Sequence, residues 1–332
     1  MSIRYKLRIE RTITIAALIL IIPVCLFVLN GIKRNMRIVG KSEQKLSEQQ
    51  GETQISPDAA VTTTTIETKH ITRINEPTCK AAAVYTVDNK QFNYKDNIDA
   101  KVAPASLTKL LTAAVALKNV KPETVFTVGE EQWLVQPNSS LSNIEVGNTL
   151  TLKTLITGML MASGNDAAYA VAVNVAREMN PSKEMSSEEA VDYFCGLMND
   201  MAAEIGMTNS KFVNPDGWDD EEQYTTVSDL VKLAEYVLGV PEIMEITATY
   251  QTTVQFESGE NATWINSNLL LDEYSDYYCE EAIGMKTGTT PNAGNCLIAA
   301  FKKSGITYIT VVSGCDYDTD RYELTLKFFN SL

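Results

Sequence analysis

From Ala81 onward, apolar positions recur with two different periods. In 81–94 (AAAVYTVDNKQFNY), two short apolar runs flank Asp88-Asn89, a pattern that predicts a β-hairpin. In 106–118 (SLTKLLTAAVALK), Leu107, Leu110, Leu111, Ala114 and Val115 recur three or four apart, with Pro104 just before them; this predicts a helix with one apolar face. Further helices are predicted over 151–162, 166–178, 187–205 (ending at Gly206) and 228–238 (opened by Ser228 and closed by Gly239). The pattern then changes. Residues 250–256 (YQTTVQF), 294–301 (GNCLIAAF) and 306–314 (ITYITVVSG) read as strands, and Asp318 is placed to cap a last helix over 319–330. A helical middle is bracketed by strand-rich ends. The simplest architecture is α+β: one antiparallel sheet built from both ends of the chain, flanked by helices, with a helical subdomain inserted.

The N-terminal quarter has neither period. Residues 12–29 (TITIAALILIIPVCLFVL) form an apolar run just long enough to span a bilayer, and no small-x-small cleavage pattern follows it. Basic residues flank the run on both sides, and the four at the very N-terminus favour a cytoplasmic 1–11. The expectation is a single-pass membrane anchor, with a cleaved signal peptide as the alternative. Residues 38–76 are rich in Ser, Gln, Thr and Glu and contain Thr62-Thr63-Thr64-Thr65, which reads as a flexible linker. A folded extracytoplasmic body is expected over 78–332.

Charge narrows the function classes. The chain carries a net −14, but residues 1–41 hold eight basic residues and only Glu10 as an acid. The remainder therefore has 20 basic against 41 acidic residues, a balance of −21 that argues against nucleic-acid binding. Of six cysteines, Cys25 lies in the apolar run; Cys79, Cys195, Cys279, Cys296 and Cys315 remain, with no C-x-x-C pair. The single histidine, His70, falls in the linker, so no metal site is expected in the body. Counting outward from a turn at Ser304-Gly305 brings Cys296 and Cys315 close to opposite positions, and a disulfide between them is expected.

Candidate chemistry begins at Ser106-Leu107-Thr108-Lys109. Residues three apart on a helix share a face, so a hydroxyl and an amine can meet there. A serine at a helix N-terminus also sits where unpaired N–H groups favour developing negative charge. Alone the pattern is equally met by a capping serine and an exposed lysine. Ser163-Gly164-Asn165 falls between two predicted helices, where a plain polar turn is equally at home. Lys286-Thr287-Gly288-Thr289 sets a cation, hydroxyls and a residue without a side chain at a strand edge, where Gly288 lets a substrate backbone come close. In this order the three blocks become specific. The absence of histidine from the body excludes a Ser-His-Asp triad, so serine catalysis there has to recruit another base.

The chain resembles the low-molecular-weight penicillin-binding proteins, the serine D-alanyl-D-alanine carboxypeptidases of the β-lactamase/transpeptidase-like superfamily. The likeness runs from about Ala81 to Phe329. It covers 105–110 (ASLTKL), 161–168 (MASGNDAA), 212–217 (FVNPDG) with 224–226 (YTT), and 284–290 (GMKTGTT) with 293–297 (AGNCL). Lys211 and Trp218 depart from it, where many relatives have histidine and leucine. The resemblance implies a β-lactamase/DD-peptidase-like fold and acyl transfer without metal or organic cofactor. Ser106 is then the nucleophile, Lys109 its base, and Ser163 the relay of the proton to the leaving amine. Asn165 holds a substrate amide; Lys286, Thr287 and Thr289 grip the terminal carboxylate, with Gly288 as a substrate-binding residue that lets the substrate backbone approach; the backbone N–H groups of Ser106 and Thr289 form the oxyanion hole. The implied substrate is a peptidoglycan stem peptide, and β-lactams are the implied covalent inhibitors. A serine β-lactamase or D,D-endopeptidase would use the same residues. The β-lactamase reading lacks its deacylating Glu-x-x-x-Asn in 170–225. A non-catalytic wall-binding domain is opposed by three intact blocks.

Overall fold

A computed structural model describes residues 79–332. The expected anchor at 12–29, its basic flank 1–11 and the linker 38–76 lie outside the described residues. Among the described residues, no helix is long and apolar enough to cross a membrane.

The N-terminal hairpin forms as β1 (Ala81–Thr86) and β2 (Gln91–Asp96). Then come α1 (Thr108–Asn119), the short pair β3 (Val125–Thr127) and β4 (Thr149–Thr151), and α2 (Leu152–Met161). The helical middle continues with α3 (Asn165–Met179), α4 (Ser187–Glu204), α5 (Val227–Leu238) and α6 (Pro241–Ala248). The chain ends with β5 (Gln251–Gln255), β6 (Asn261–Ile265), β7 (Ala282–Thr290), β8 (Gly294–Lys303), β9 (Ile306–Cys315) and α7 (Asp318–Asn330).

Both ends of the chain do build one sheet. Its order is β2-β1-β9-β8-β7, antiparallel throughout, with β7 at the edge. Both of its faces are covered, which is why β8 and β9 read as nearly continuous apolar runs. Cys296, Ile298, Ala300, Ile309 and Val311 point into the larger core shared with α1 to α6. Leu297, Ala299, Phe301, Val312 and Cys315 point into a second core under α7, against Tyr322, Phe328 and Phe329. The predicted strand 250–256 is not part of this sheet: β5 pairs with β6 in a separate two-stranded ribbon.

The helix ends differ from expectation in ways their hydrogen bonds explain. The cap of α5 is Thr226, whose hydroxyl accepts from Asp229 N–H, rather than Ser228. At α7 the backbone N–H of Tyr317 donates to the Asp320 carboxylate, so Asp318 lies inside the first turn. The helix expected from Ser106 starts as a 3-10 turn, Ala105–Leu107, before α1 proper. Thr108 through Ala116 are all buried, so α1 is a central helix and not a surface helix with one apolar face.

The expected Cys296–Cys315 disulfide is not formed; all five cysteines of the described residues are free thiols. The β8–β9 register shifts between Asn295 and Leu297, so Cys315 lies opposite Asn295. Cys296 and Cys315 consequently face different cores. A one-residue slip moves a side chain to the other face of a sheet, and here it separates the two sulfurs.

Candidate active site

The 3-10 turn presents Ser106 half-buried in front of α1, and one helical turn later Lys109 is fully buried. Lys109 Nζ donates to Ser106 Oγ at 2.8 Å, to Asn165 Oδ1 at 2.8 Å and to the Asp216 carbonyl oxygen at 2.7 Å. Three acceptors use every N–H of the ammonium, so Lys109 is fixed in place without an ion pair. Burial pushes its pKa down from 10.5 to about 8, against the opposite pull of Asp216 and Asp166. The amine is thereby brought within reach of its neutral, proton-accepting form.

Asn165 is the first residue of α3, and the link before it places Ser163 in the same region, buried and with φ +57°. Ser163 makes no hydrogen bond to Lys109, whose N–H groups are already taken. Asp166 holds this corner: its Oδ1 accepts from Ser142 N–H at 2.8 Å and from Ser142 Oγ at 2.9 Å.

The third block lies on the edge strand β7. Gly288 packs directly on the turn that carries Ser106: a Cβ there would stand 3.0 Å from Ala105 Cβ and 3.1 Å from Ser106 N. Its missing side chain therefore serves the fit between β7 and the serine, and not only the approach of a ligand backbone. Because β7 pairs on one side only, its outer edge can offer backbone N–H groups beside Ser106. Lys286 is buried, donating to the Thr287 carbonyl at 3.1 Å and to Ser267 Oγ at 3.5 Å. Ser267 Oγ in turn lies 2.6 Å from Thr287 Oγ1. Burial drives the pKa of Lys286 well below its usual range, and the charges of Lys109 and Arg321 add to it. Thr289 is exposed and donates to Asn295 Oδ1 at 3.1 Å.

Each block adjoins a non-glycine residue with positive φ: Ala105 at +48°, Ser163 at +57° and Met285 at +91°. Such conformations cost about 1–3 kcal/mol each and persist where the surroundings impose them, commonly at functional sites.

Two contributors have no role assigned from the sequence: the first carries no motif, and the second stands there only as part of the 212–217 likeness. Arg321, on α7, donates from Nη1 to Thr289 Oγ1 at 2.9 Å and to the Gly288 carbonyl at 3.2 Å, and pairs with Asp318. The other is the 214–220 loop. Asp216 supplies the carbonyl that holds Lys109, while the Asp219 carboxylate accepts from Thr290 Oγ1 at 2.5 Å and from Asn292 N–H at 2.9 Å. One loop thus grips both the buried amine and the end of β7. Gly217, at φ +87°, makes this possible, since a Cβ there would stand 1.8 Å from the Ala105 carbonyl oxygen. Lys211 stands apart, pairing with Glu222 at the surface.

A serine hydroxyl bonded to a buried lysine, beside an edge strand and a cluster of cationic and hydroxyl groups, suits attack on a carbonyl next to a carboxylate. Comparison with known proteins agrees. The peptidase family described as D-alanyl-D-alanine carboxypeptidase matches residues 68–316. The D-alanyl-D-alanine carboxypeptidase DacF of Bacillus subtilis is 30% identical over 254 residues, 76% of this chain and 61% of that protein. The chain thus spans about three-fifths of the length of that relative. Among solved structures, the DD-transpeptidase of Streptomyces K15 superposes with a TM-score of 0.69 at 27% identity, covering 78% of this chain and 98% of that one. Penicillin-binding protein D2 of Listeria monocytogenes, in its cefotaxime-bound form, gives 0.65 at 26%, covering 78% and 99%.

Proposed function

Since the chain belongs to the D-alanyl-D-alanine carboxypeptidase family of serine peptidases, we propose that it removes the terminal D-alanine from peptidoglycan stem peptides through an acyl-enzyme on Ser106, and that β-lactams acylate the same oxygen. The observation that carries this is the 2.8 Å bond between Ser106 Oγ and a lysine whose burial lowers its pKa to about 8.

In this mechanism neutral Lys109 takes the proton as Ser106 Oγ forms a bond to the penultimate carbonyl carbon. The N–H groups of Ser106 and Thr289 receive the oxyanion. The C–N bond then breaks, and Ser163 passes the proton from Lys109 to the departing D-alanine amine. For this Ser163 must bond to Lys109 once Ser106 Oγ has given up its place as acceptor. Water attacks the ester, releases the shortened peptide and restores Ser106. Asn165 positions a substrate amide. Thr287, Thr289, Lys286 and Arg321 meet the terminal carboxylate. That carboxylate supplies the counter-charge Lys286 lacks, so binding favours its protonated form.

We also infer that residues 12–29 anchor the chain with its body outside the cytoplasm; the support is the uninterrupted apolar run with no cleavage pattern after it. N-terminal sequencing of the native protein checks this, and a mature N-terminus beyond Leu29 refutes it.

Intact mass after exposure to penicillin tests the catalytic reading. The expected result is one adduct on Ser106, none on Ser106→Ala, and release of D-alanine from a pentapeptide. Rapid nitrocefin turnover without D-alanine release would instead establish a β-lactamase, and cleavage of cross-linked peptides alone an endopeptidase.

A further inference from the structure

Cys79, the first described residue, leads directly into β1, and Cys315 closes β9. These strands pair antiparallel with Ala81 opposite Ser313 and Ala82 opposite Val312. Beyond Ala81 the two chains stay in contact, since Lys80 N–H donates to the Ser313 carbonyl at 2.9 Å. Lys80 also lies over Gly314, where an added Cβ would meet its side-chain carbons at 2.6–2.8 Å. Cys79 and Cys315 are the next residues along each chain, flanking this contacting pair. A disulfide bridges Cα atoms about 4.4–6.8 Å apart, a span open to residues that flank a contacting cross-strand pair.

The side chains agree with the backbone. Cys315 is buried in the core under α7, and Cys79 packs half-buried against that same core. The neighbouring Cys79 thiol is the foremost reason the Cys315 thiol is pushed far up from its usual range, with burial next. The other cysteines have different neighbours: Cys279 meets Glu281 at 3.5 Å, and Cys296 lies against Ser313 Oγ at 3.6 Å.

We propose that Cys79 and Cys315 are a redox modification site, converted by a thiol-disulfide oxidant into an intrachain disulfide that staples the start of the folded body to the β9–α7 junction. Half-exposed Cys79 is the sulfur an oxidant R–S–S–R reaches first. Its thiolate attacks that bond and expels R–S⁻, leaving a mixed disulfide. Cys315 then attacks Cys79 Sγ, the bond to R breaks, and the second R–S⁻ leaves with the Cys315 proton. Two thiols and one R–S–S–R become one protein disulfide and two R–SH. Forming the mixed disulfide also takes away the Cys79 thiol that raises Cys315, leaving burial as the chief restraint on the second step.

The bond would sit next to the active site. The Cys315 carbonyl accepts from Asn295 Nδ2 at 3.2 Å, and Asn295 Oδ1 accepts from Thr289 Oγ1 at 3.1 Å. Past Cys315 the chain enters α7, which carries Arg321. Only the occurrence of the bond in the cell rests on the extracytoplasmic reading, because disulfides persist there.

The test uses the full-length protein equilibrated with oxidised glutathione, quenched with N-ethylmaleimide and mapped without reduction. The expected product is one peptide pair joining Cys79 to Cys315, with Cys195, Cys279 and Cys296 alkylated. The thermal midpoint should rise by several degrees, since the cross-link closes most of the body into one loop. The rise should vanish on reduction and be absent from Cys79→Ser, whose half-exposed position tolerates the change. Alkylation of both cysteines, or pairing of either with another cysteine, overturns the proposal. Penicillin acylation in the same sample separates the two readings. A protein that acylates at Ser106 but gives no Cys79–Cys315 peptide refutes the disulfide alone, and one with the peptide but no acylation refutes the catalytic reading alone.

Discussion

The pH dependence of acylation follows from the burial of Lys109. If neutral amine is the base, the second-order rate of β-lactam acylation tracks the unprotonated fraction. With the pKa lowered from 10.5 to about 8, that fraction at pH 7 is roughly one in eleven, where an ordinary lysine would offer about one in three thousand. Burial therefore supplies about a 300-fold gain in available base. Stopped-flow acylation with a fluorescent penicillin should show a tenfold rise in rate per pH unit below about 8 and a plateau above. Asp216→Asn removes an anion that holds the proton on Lys109, so its midpoint should move lower. The same shift bears on stability. Between about pH 8 and 10.5 the unfolded chain binds more protons at this lysine than the folded one, so stability rises with pH across that window, by up to about 3 kcal/mol. Below about pH 8 the burial penalty is fully present. A rate flat from pH 6 to 9, or a midpoint above 10, would refute the assignment of Lys109 as base.

Other substitutions probe the supports of the site. Gly217→Ala forces a Cβ onto the Ala105 carbonyl and displaces the Asp216 carbonyl from Lys109; acylation should fall about 100-fold or more, with a lower melting temperature. Asp219→Ala removes two hydrogen bonds to a carboxylate at the end of β7 and should destabilise by about 2 kcal/mol in urea titrations. Arg321→Leu should raise KM for D-alanine release at least tenfold, and Arg321→Lys should recover little of it, because the guanidinium holds Thr289 and Gly288 through Nη1 while Nη2 pairs with Asp318.

Local rules made much of this protein legible in its sequence. The spacing of Ser106 and Lys109 allows them to meet on one helical turn, and the apolar runs of 294–301 and 306–314 are strands buried on both faces. The three short blocks name the candidate nucleophile, its candidate base and the edge strand because each is contiguous in the chain. What the sequence did not disclose depends on long-range placement. Arg321 has no motif; it joins the site only because α7 returns along β8 and β9 and delivers its guanidinium to β7. The 214–220 loop is legible only as part of the 212–217 likeness, and its role emerges when its carbonyl is found on Lys109 and its carboxylate on Thr290. The ribbon of β5 and β6 left the main sheet because its strand pattern specifies a pleated surface and not a partner. Cysteine placement turned on a single residue. Spacing suggested Cys296 opposite Cys315, but the register shift near Gly314 gave Cys296 to one core and Cys315 to the other, where Cys79 lies. The sequence by itself determined which side chains are the candidates for the chemistry, because helix and strand periods are local. Only the tertiary structure decided what surrounds them, and with it the proton affinity of Lys109, because burial is a property of the whole packed chain.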